Sequence, residues 1–381
     1  MENFVLHNPV VLHFGQGVVA KIGKAAKEYG KKALVVYGKG SVKQNGAYQA
    51  TIESLMSAGI EYVDYPGIKP NPIIEDVDKA AHLARETGCD MIVAIGGGSV
   101  IDSAKVIAIT IPANHSGWDF MVGASKPMQA IPLLGVLTLA ATGTEMNSVA
   151  VVQNDAVGKK VGYGNKLMYP KHSFLDPQFT CSVPADHTAY GIADLIAHSL
   201  EMWFGDGDAS LSDRFLIAII QEALKHGPEL MKNLTDYNLR AKIMYAATCA
   251  LNGMTLPGKK SGDWGVHDIG HSMSVKYDLA HGASLTIAYP AWLKLHKQRI
   301  PERITSLGMA LFHTDNPDDT IYKFEHFFKL IGCPIRLSQA GIDATDSELE
   351  NLAALMIQNR VNGQNLKLSD TDLMTVVKHM A

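Results

Sequence analysis

Asp194 and His198 stand four residues apart with only Leu195, Ile196 and Ala197 between them, so a helix would carry a carboxylate and an imidazole on one face. Further along come His267, His271 and His281, the last followed by Gly282. Imidazole nitrogens and a carboxylate oxygen are the ligands that zinc(II) and iron(II) accept. One carboxylate and three neutral imidazoles would leave such a cation net positive charge with which to polarise a carbonyl oxygen. With 15 histidines in the chain, a chance pairing at i+4 is expected, so the convergence of several such residues carries the signal. Asp194 also lies in an otherwise apolar stretch from Gly191 to Leu200, where an unpaired carboxylate is costly. Metal ligation explains its presence there.

Two further segments suit phosphate. Ile92 to Ile95 runs into Gly96, Gly97, Gly98 and Ser99, followed by a helical pattern from Val100 to Ile109. Glycines let the backbone approach a phosphate closely, and the helix start supplies amide donors. The second junction, Gly38, Lys39, Gly40 and Ser41, follows another apolar run and has Lys43 one turn further on. Folds that use NAD place a carboxylate near the adenosine ribose, which repels a 2′-phosphate. No acidic residue occurs from Tyr37 to Gly46. The two junctions therefore read as a pyrophosphate site and a 2′-phosphate site, favouring NADP over NAD.

The elements that must position these residues alternate. Strands are expected at Pro9–Gly15, Lys31–Tyr37, Glu61–Tyr65, Asp90–Ile95, Ala130–Val136 and Ser148–Gln153, with helical spacing between most of them. That alternation implies a parallel sheet flanked by helices. Beyond Pro184 the pattern becomes helical, as in Leu211–Met231 and Leu239–Leu251. We therefore expect an α/β dinucleotide-binding domain over 1–184 and an all-helical metal-binding domain over 185–381, with catalysis depending on how the two lobes close.

Composition narrows the function classes. A formal net charge of −4 with no block of like charge argues against nucleic acid or an anionic membrane as partner. No apolar run is long enough to span a bilayer, and no secretory signal opens the chain. Cys89, Cys181, Cys249 and Cys333 form no C-x-x-C pair and read as reduced thiols, so a cytoplasmic location is expected.

Taken together, Pro70-Asn71-Pro72, the run from Gly96 to Lys105, Ala141 to Asn147, Asp176-Pro177, Asp194 to Glu201, and His267 to His271 followed by His281-Gly282 resemble one family. It is the iron-containing (group III) alcohol dehydrogenases, in particular their NADP-dependent butanol dehydrogenase and aldehyde reductase branch. The resemblance runs in order along essentially the whole chain. It implies a dehydroquinate synthase-like architecture and one divalent metal, iron(II) in the family with zinc(II) also able to occupy the site. The ligands would be Asp194, His198, His267 and His281, with His271 set apart for substrate or proton relay. Cofactor contacts would come from Gly38, Lys39, Gly40, Ser41, Asn71, Gly97, Gly98, Ser99, Asp102, Thr138, Thr142, Asn147 and Lys160. A homodimer is the family expectation.

Two positions depart from or vary within the family. Leu139 stands where many members carry a hydroxyl residue, and Gly38 where NAD-preferring members often carry an acid. The expected activity is hydride transfer between NADP(H) and a small primary alcohol or aldehyde, mainly as reduction of the aldehyde. A metal-dependent cyclase or lyase of the dehydroquinate synthase type is the alternative. Its phosphorylated, polyhydroxylated substrates would call for several Lys or Arg near the ligands, whereas Trp264, Val266, Ile269 and Met273 are apolar. A non-catalytic dinucleotide sensor would need no metal ligands.

Overall fold

The computed structural model describes every residue from 1 to 381. Its strands are β1 (Val11–Phe14), β2 (Lys32–Tyr37), β3 (Glu61–Tyr65), β4 (Met91–Gly96), β5 (Leu133–Leu137), β6 (Val149–Asn154), β7 (Lys159–Gly164) and β8 (His172–Leu175). Six of them form one sheet in the order β1-β8-β5-β4-β2-β3, and every neighbouring pair is parallel. Parallel strands covered on both faces read as unbroken apolar runs. Accordingly, β4 and β5 are buried at every position.

The strand order places the two glycine junctions together. The chain leaves β2 outward to β3, returns to β4 on the other side of β2, and then continues to β5. This reversal is a switch point, and ligands of open α/β sheets bind outside the carboxyl ends of the strands there. Tyr37 at the end of β2 pairs with Ile95 near the end of β4. Gly38–Ser41 and Gly96–Ser99 therefore emerge side by side.

The remaining strands, β6 and β7, form a separate antiparallel hairpin. It packs on the Gly98–Thr110 helix through β6.

The contacts divide the chain into two compact units. The sheet unit comprises His7–Val183 and Leu234–Thr248; the helical unit comprises Met1–Leu6, Pro184–Asn233 and Cys249–Ala381. Two segments are thus assigned differently from a single division after residue 184. Leu234–Thr248 is tied to the sheet unit by side chains that helical spacing cannot reveal. Met244 enters the core beneath the sheet, Arg240 donates to the Val183 carbonyl at 3.1 Å, and Thr248 Oγ1 donates to the buried Glu145 carboxylate at 2.6 Å. Met1–Leu6 joins the helical unit, where the Glu2 amide donates to the Gly258 carbonyl at 2.9 Å.

In the helical unit the His281–His296 helix is buried along most of its length, with Tyr289 and Trp292 almost wholly enclosed. It packs against the Ala185–Trp203 and Gly265–Tyr277 helices. These three helices carry all of the histidines and the aspartate singled out in the sequence as metal ligands or relay. No helix of the molecule is long and apolar enough to cross a membrane.

Candidate metal centre and cofactor site

In the sheet unit, Gly98 begins the helix that follows β4. A Cβ there would stand 2.6 Å from Thr142 Cγ2, so only glycine lets the 138–144 loop close on the turn. The Thr138 amide donates to the Gly96 carbonyl at 3.0 Å, and the Ser99 hydroxyl donates to the Pro70 carbonyl. Next to Pro70, Asn71 Oδ1 accepts from Lys160 Nζ on β7 at 2.8 Å. Residues scattered from 70 to 160 thereby gather around one turn.

At the other junction Lys39 is exposed. Lys43 sits over the rings of Tyr37 and Tyr48, at 5.0 and 4.6 Å from their centroids, a cation–π arrangement.

Asp102 and Asn147 are tied into the loop that follows the glycine turn. Asp102 is buried, and its two oxygens accept from Thr144 Oγ1 at 2.5 Å and the Val151 amide at 2.9 Å. Asn147 Oδ1 accepts from Lys105 Nζ at 3.0 Å and the Val149 amide at 2.9 Å, while its amide group donates to the Gly143 carbonyl at 3.0 Å. Both belong to the framework that holds the loop.

In the helical unit, Asp194 and His198 project from the same face of the Ala185–Trp203 helix and are buried. The Nε2 atoms of His198, His267 and His281 lie 3.6, 3.8 and 3.6 Å from Asp194 Oδ1. These separations are too long for hydrogen bonds. They lie at or slightly above the roughly 3.2–3.6 Å between atoms that share one tetrahedral cation at ordinary bond lengths. Asp194, His267 and His281 have ligand atoms all within 4.8 Å of one another. His198 joins through Asp194 and stacks on His267 with ring centroids 4.8 Å apart. Asp194 Oδ1 and His267 Nε2 are buried and have no hydrogen-bond partner. Buried polar atoms are nearly always satisfied, so the donor set fits a divalent cation.

The electrostatics agree with that fit. Burial alone would raise the Asp194 carboxyl, but His198, His281 and His267 pull it well below the usual range. Burial lowers His198 to about 4 despite Asp194, keeping its ring neutral as a ligand must be. For His267, Asp194 and Glu201 outweigh burial and raise it to about 9, so metal must displace a proton from this ring. His271 lies beside the cluster, stacked on His281 at 5.7 Å, with Nδ1 3.9 Å from Asp268 Oδ1.

Glu201 closes the motif that begins at Asp194. It is buried, and its Oε1 accepts from His267 Nδ1 at 2.8 Å. A carboxylate seven residues after Asp194 in an apolar helix was the available signal, since i, i+4 and i+7 share a face. Trp264 packs edge-on against His267 at 5.3 Å and lies 6.3 Å from His198.

Comparison with known proteins gives this arrangement its context. The profile of the iron-containing alcohol dehydrogenases matches residues 9–177, and that of the C-terminal region of the Fe-containing alcohol dehydrogenase family matches 188–380. The chain belongs to the iron-containing alcohol dehydrogenase family. It is an oxidoreductase of that family, which works with a nucleotide cofactor. The chain is 36% identical to the probable NADH-dependent butanol dehydrogenase 1 of Bacillus subtilis, over 99% of each chain. It is 32% identical to the NADPH-dependent aldehyde reductase YqhD of Escherichia coli, over 91% of each. The fold superposes on a crystal structure of NADH-dependent butanol dehydrogenase A from Thermotoga maritima with a TM-score of 0.97 and 34% identity, covering 100% of this chain and 99% of that one. The dehydroquinate synthase-like architecture is thus common ground, and the family assignment favours the oxidoreductase over the cyclase or lyase.

Proposed function

We propose that this protein interconverts small primary alcohols and aldehydes with NADP(H), mainly as an aldehyde reductase, and that Asp194, His198, His267 and His281 hold one divalent cation, iron(II) first and zinc(II) as a substitute. The observation that carries the reading is Asp194 Oδ1 with three imidazole nitrogens 3.6–3.8 Å around it. When bound, the metal supplies Lewis acidity toward the substrate oxygen and the nicotinamide supplies or takes the hydride. Asp194 offsets one of the two metal charges, and the neutral histidines offset none. Trp264 shields the His267 and His198 rings, which keeps the centre poorly hydrated and its electrostatics strong. His271 moves the substrate proton at its ring nitrogen, with Asp268 Oδ1 3.9 Å from Nδ1.

For the cofactor, Gly97, Gly98 and Ser99 receive the pyrophosphate, supported by Asn71, Thr138, Thr142 and Lys160 around the same turn. Gly38, Lys39, Gly40 and Ser41 receive the ribose end. The absence of any carboxylate from Tyr37 to Gly46 supports acceptance of the 2′-phosphate. A second reading, preference for NADH, draws support from the names of the Bacillus and Thermotoga relatives. A homodimer in the cytoplasm completes the proposal. Initial rates for straight-chain and branched aldehydes, with NADPH and NADH in parallel, test it. We expect the higher kcat/KM with NADPH; a preference for NADH would establish the second reading, and no oxidation of either cofactor would refute both.

A further inference from the structure

We propose that Glu201 is the positioning residue of the metal centre, setting which nitrogen of His267 faces the cation and anchoring the helix that carries it. The inference rests on the ligand reading above. Glu201 shares its helix with Asp194 and His198 and is only 1% exposed. Its carboxylate meets three donors from a single turn of another helix. Oε1 accepts from His267 Nδ1 at 2.8 Å and from the His267 amide at 3.0 Å; Oε2 accepts from the Trp264 amide at 2.6 Å.

Each bond has a separate consequence. A neutral imidazole has one N–H, and committing it at Nδ1 leaves the Nε2 lone pair directed at Asp194 Oδ1 and the cation. The Trp264 backbone is left-handed, with φ 64°, a conformation that costs a bulky residue about 1 kcal/mol or more. The bond to Oε2 holds it there. Trp264 precedes the Gly265–Tyr277 helix without a side-chain cap of its own. Glu201 therefore caps that helix from outside and sets a negative charge at its positive end.

The turn is also held from behind. Asp263 is fully buried; its amide donates to the Glu201 carbonyl at 2.9 Å, and its Oδ1 accepts from the Asn365 and Leu366 amides at 3.0 and 2.6 Å. One helix thus carries Asp194 and His198 directly and fixes a third ligand through Glu201. A glutamine in its place keeps one acceptor oxygen but turns its amide group toward a donor, either the Trp264 amide or the His267 ring.

Competition between a chelator and the full-length protein for zinc(II) tests this with the wild type, Glu201→Gln, Glu201→Asp and Asp194→Ala. We expect Glu201→Gln to bind zinc about 10–100-fold more weakly than wild type, with Glu201→Asp in between. Unchanged affinity in a folded Glu201→Gln protein would overturn the inference. Failure of the wild type to bind one zinc, or unchanged binding by Asp194→Ala, would instead defeat the ligand reading. Nitrogen NMR of the zinc-loaded wild type needs no folded variant. It should show His267 bound through Nε2 with a proton on Nδ1, and coordination through Nδ1 would contradict the inference.

Discussion

Two buried clusters of charged and polar side chains, one in each unit, are built in opposite ways. In the sheet unit, Lys105 has no exposed surface, and its ammonium donates to Thr144 Oγ1 at 2.6 Å, Asn147 Oδ1 at 3.0 Å and the Val149 carbonyl at 2.7 Å. Thr144 passes the chain of bonds to Asp102, which also receives the Val151 amide. Lys105, Thr144, Asn147 and Asp102 find their partners within the protein, while Glu145 Oε2 nearby is buried without one. In the helical unit, Asp194 Oδ1 and His267 Nε2 face each other at 3.8 Å without bonding. A closed network is framework, whereas an open one whose atoms converge near ligand spacing fits an ion.

Removing one partner from each cluster should have the largest effect. Lys105→Met leaves Asp102 without its buried counter-charge and should cost about 3–5 kcal/mol of stability, read by urea denaturation, while a protein that still folds retains its metal. Asp194→Ala should do the reverse, abolishing metal binding with a smaller change in metal-free stability. If Lys105→Met were neutral, the closed network would not be the framework described.

His296 sharpens the contrast, because its two ring nitrogens also lack partners in the core, yet no other ligand converges on it. Its ring stacks on Trp292 at 4.3 Å. Burial, aided by Arg299 and opposed by Asp372, lowers it to about 4. Unfolded, the ring takes a proton near its ordinary value of 6.5; folded, it resists until about 4. Its contribution is therefore complete above pH 6.5 and is lost as pH falls toward 4. That loss is worth up to about 3 kcal/mol. Denaturation at pH 7.5 and 5.0 should show a smaller pH effect in His296→Phe than in wild type; an equal effect would mean that His296 does not titrate this way.

Much of the fold was legible because buried parallel strands are apolar runs ending at glycine turns, as Met91–Gly96 shows. The β7 strand was not: it alternates weakly, carries Gly162 and Gly164, and is mostly exposed or half-buried. Nor does helical spacing reveal which neighbour a helix packs on, which is why Leu234–Thr248 was placed in the helical lobe. At the sites, the i, i+4 pair Asp194 and His198 declared itself through its apolar surroundings. The hydrogen bonds that tie Asp102 and Asn147 into the loop were not legible, since a motif gives proximity to a turn but not the direction of a side chain. For Glu201 the i+7 spacing from Asp194 was legible but its role was not, because its partners Trp264 and His267 lie far along the chain.

The Asp194 cluster is proposed to hold the cation on which aldehyde reduction depends. Chelating the purified protein, then adding back iron(II) or zinc(II) while following NADPH oxidation with butanal, tests it most directly. Activity should disappear on chelation with the fold retained, and return as the metal approaches one equivalent per chain. Full turnover by the metal-free protein would contradict the account.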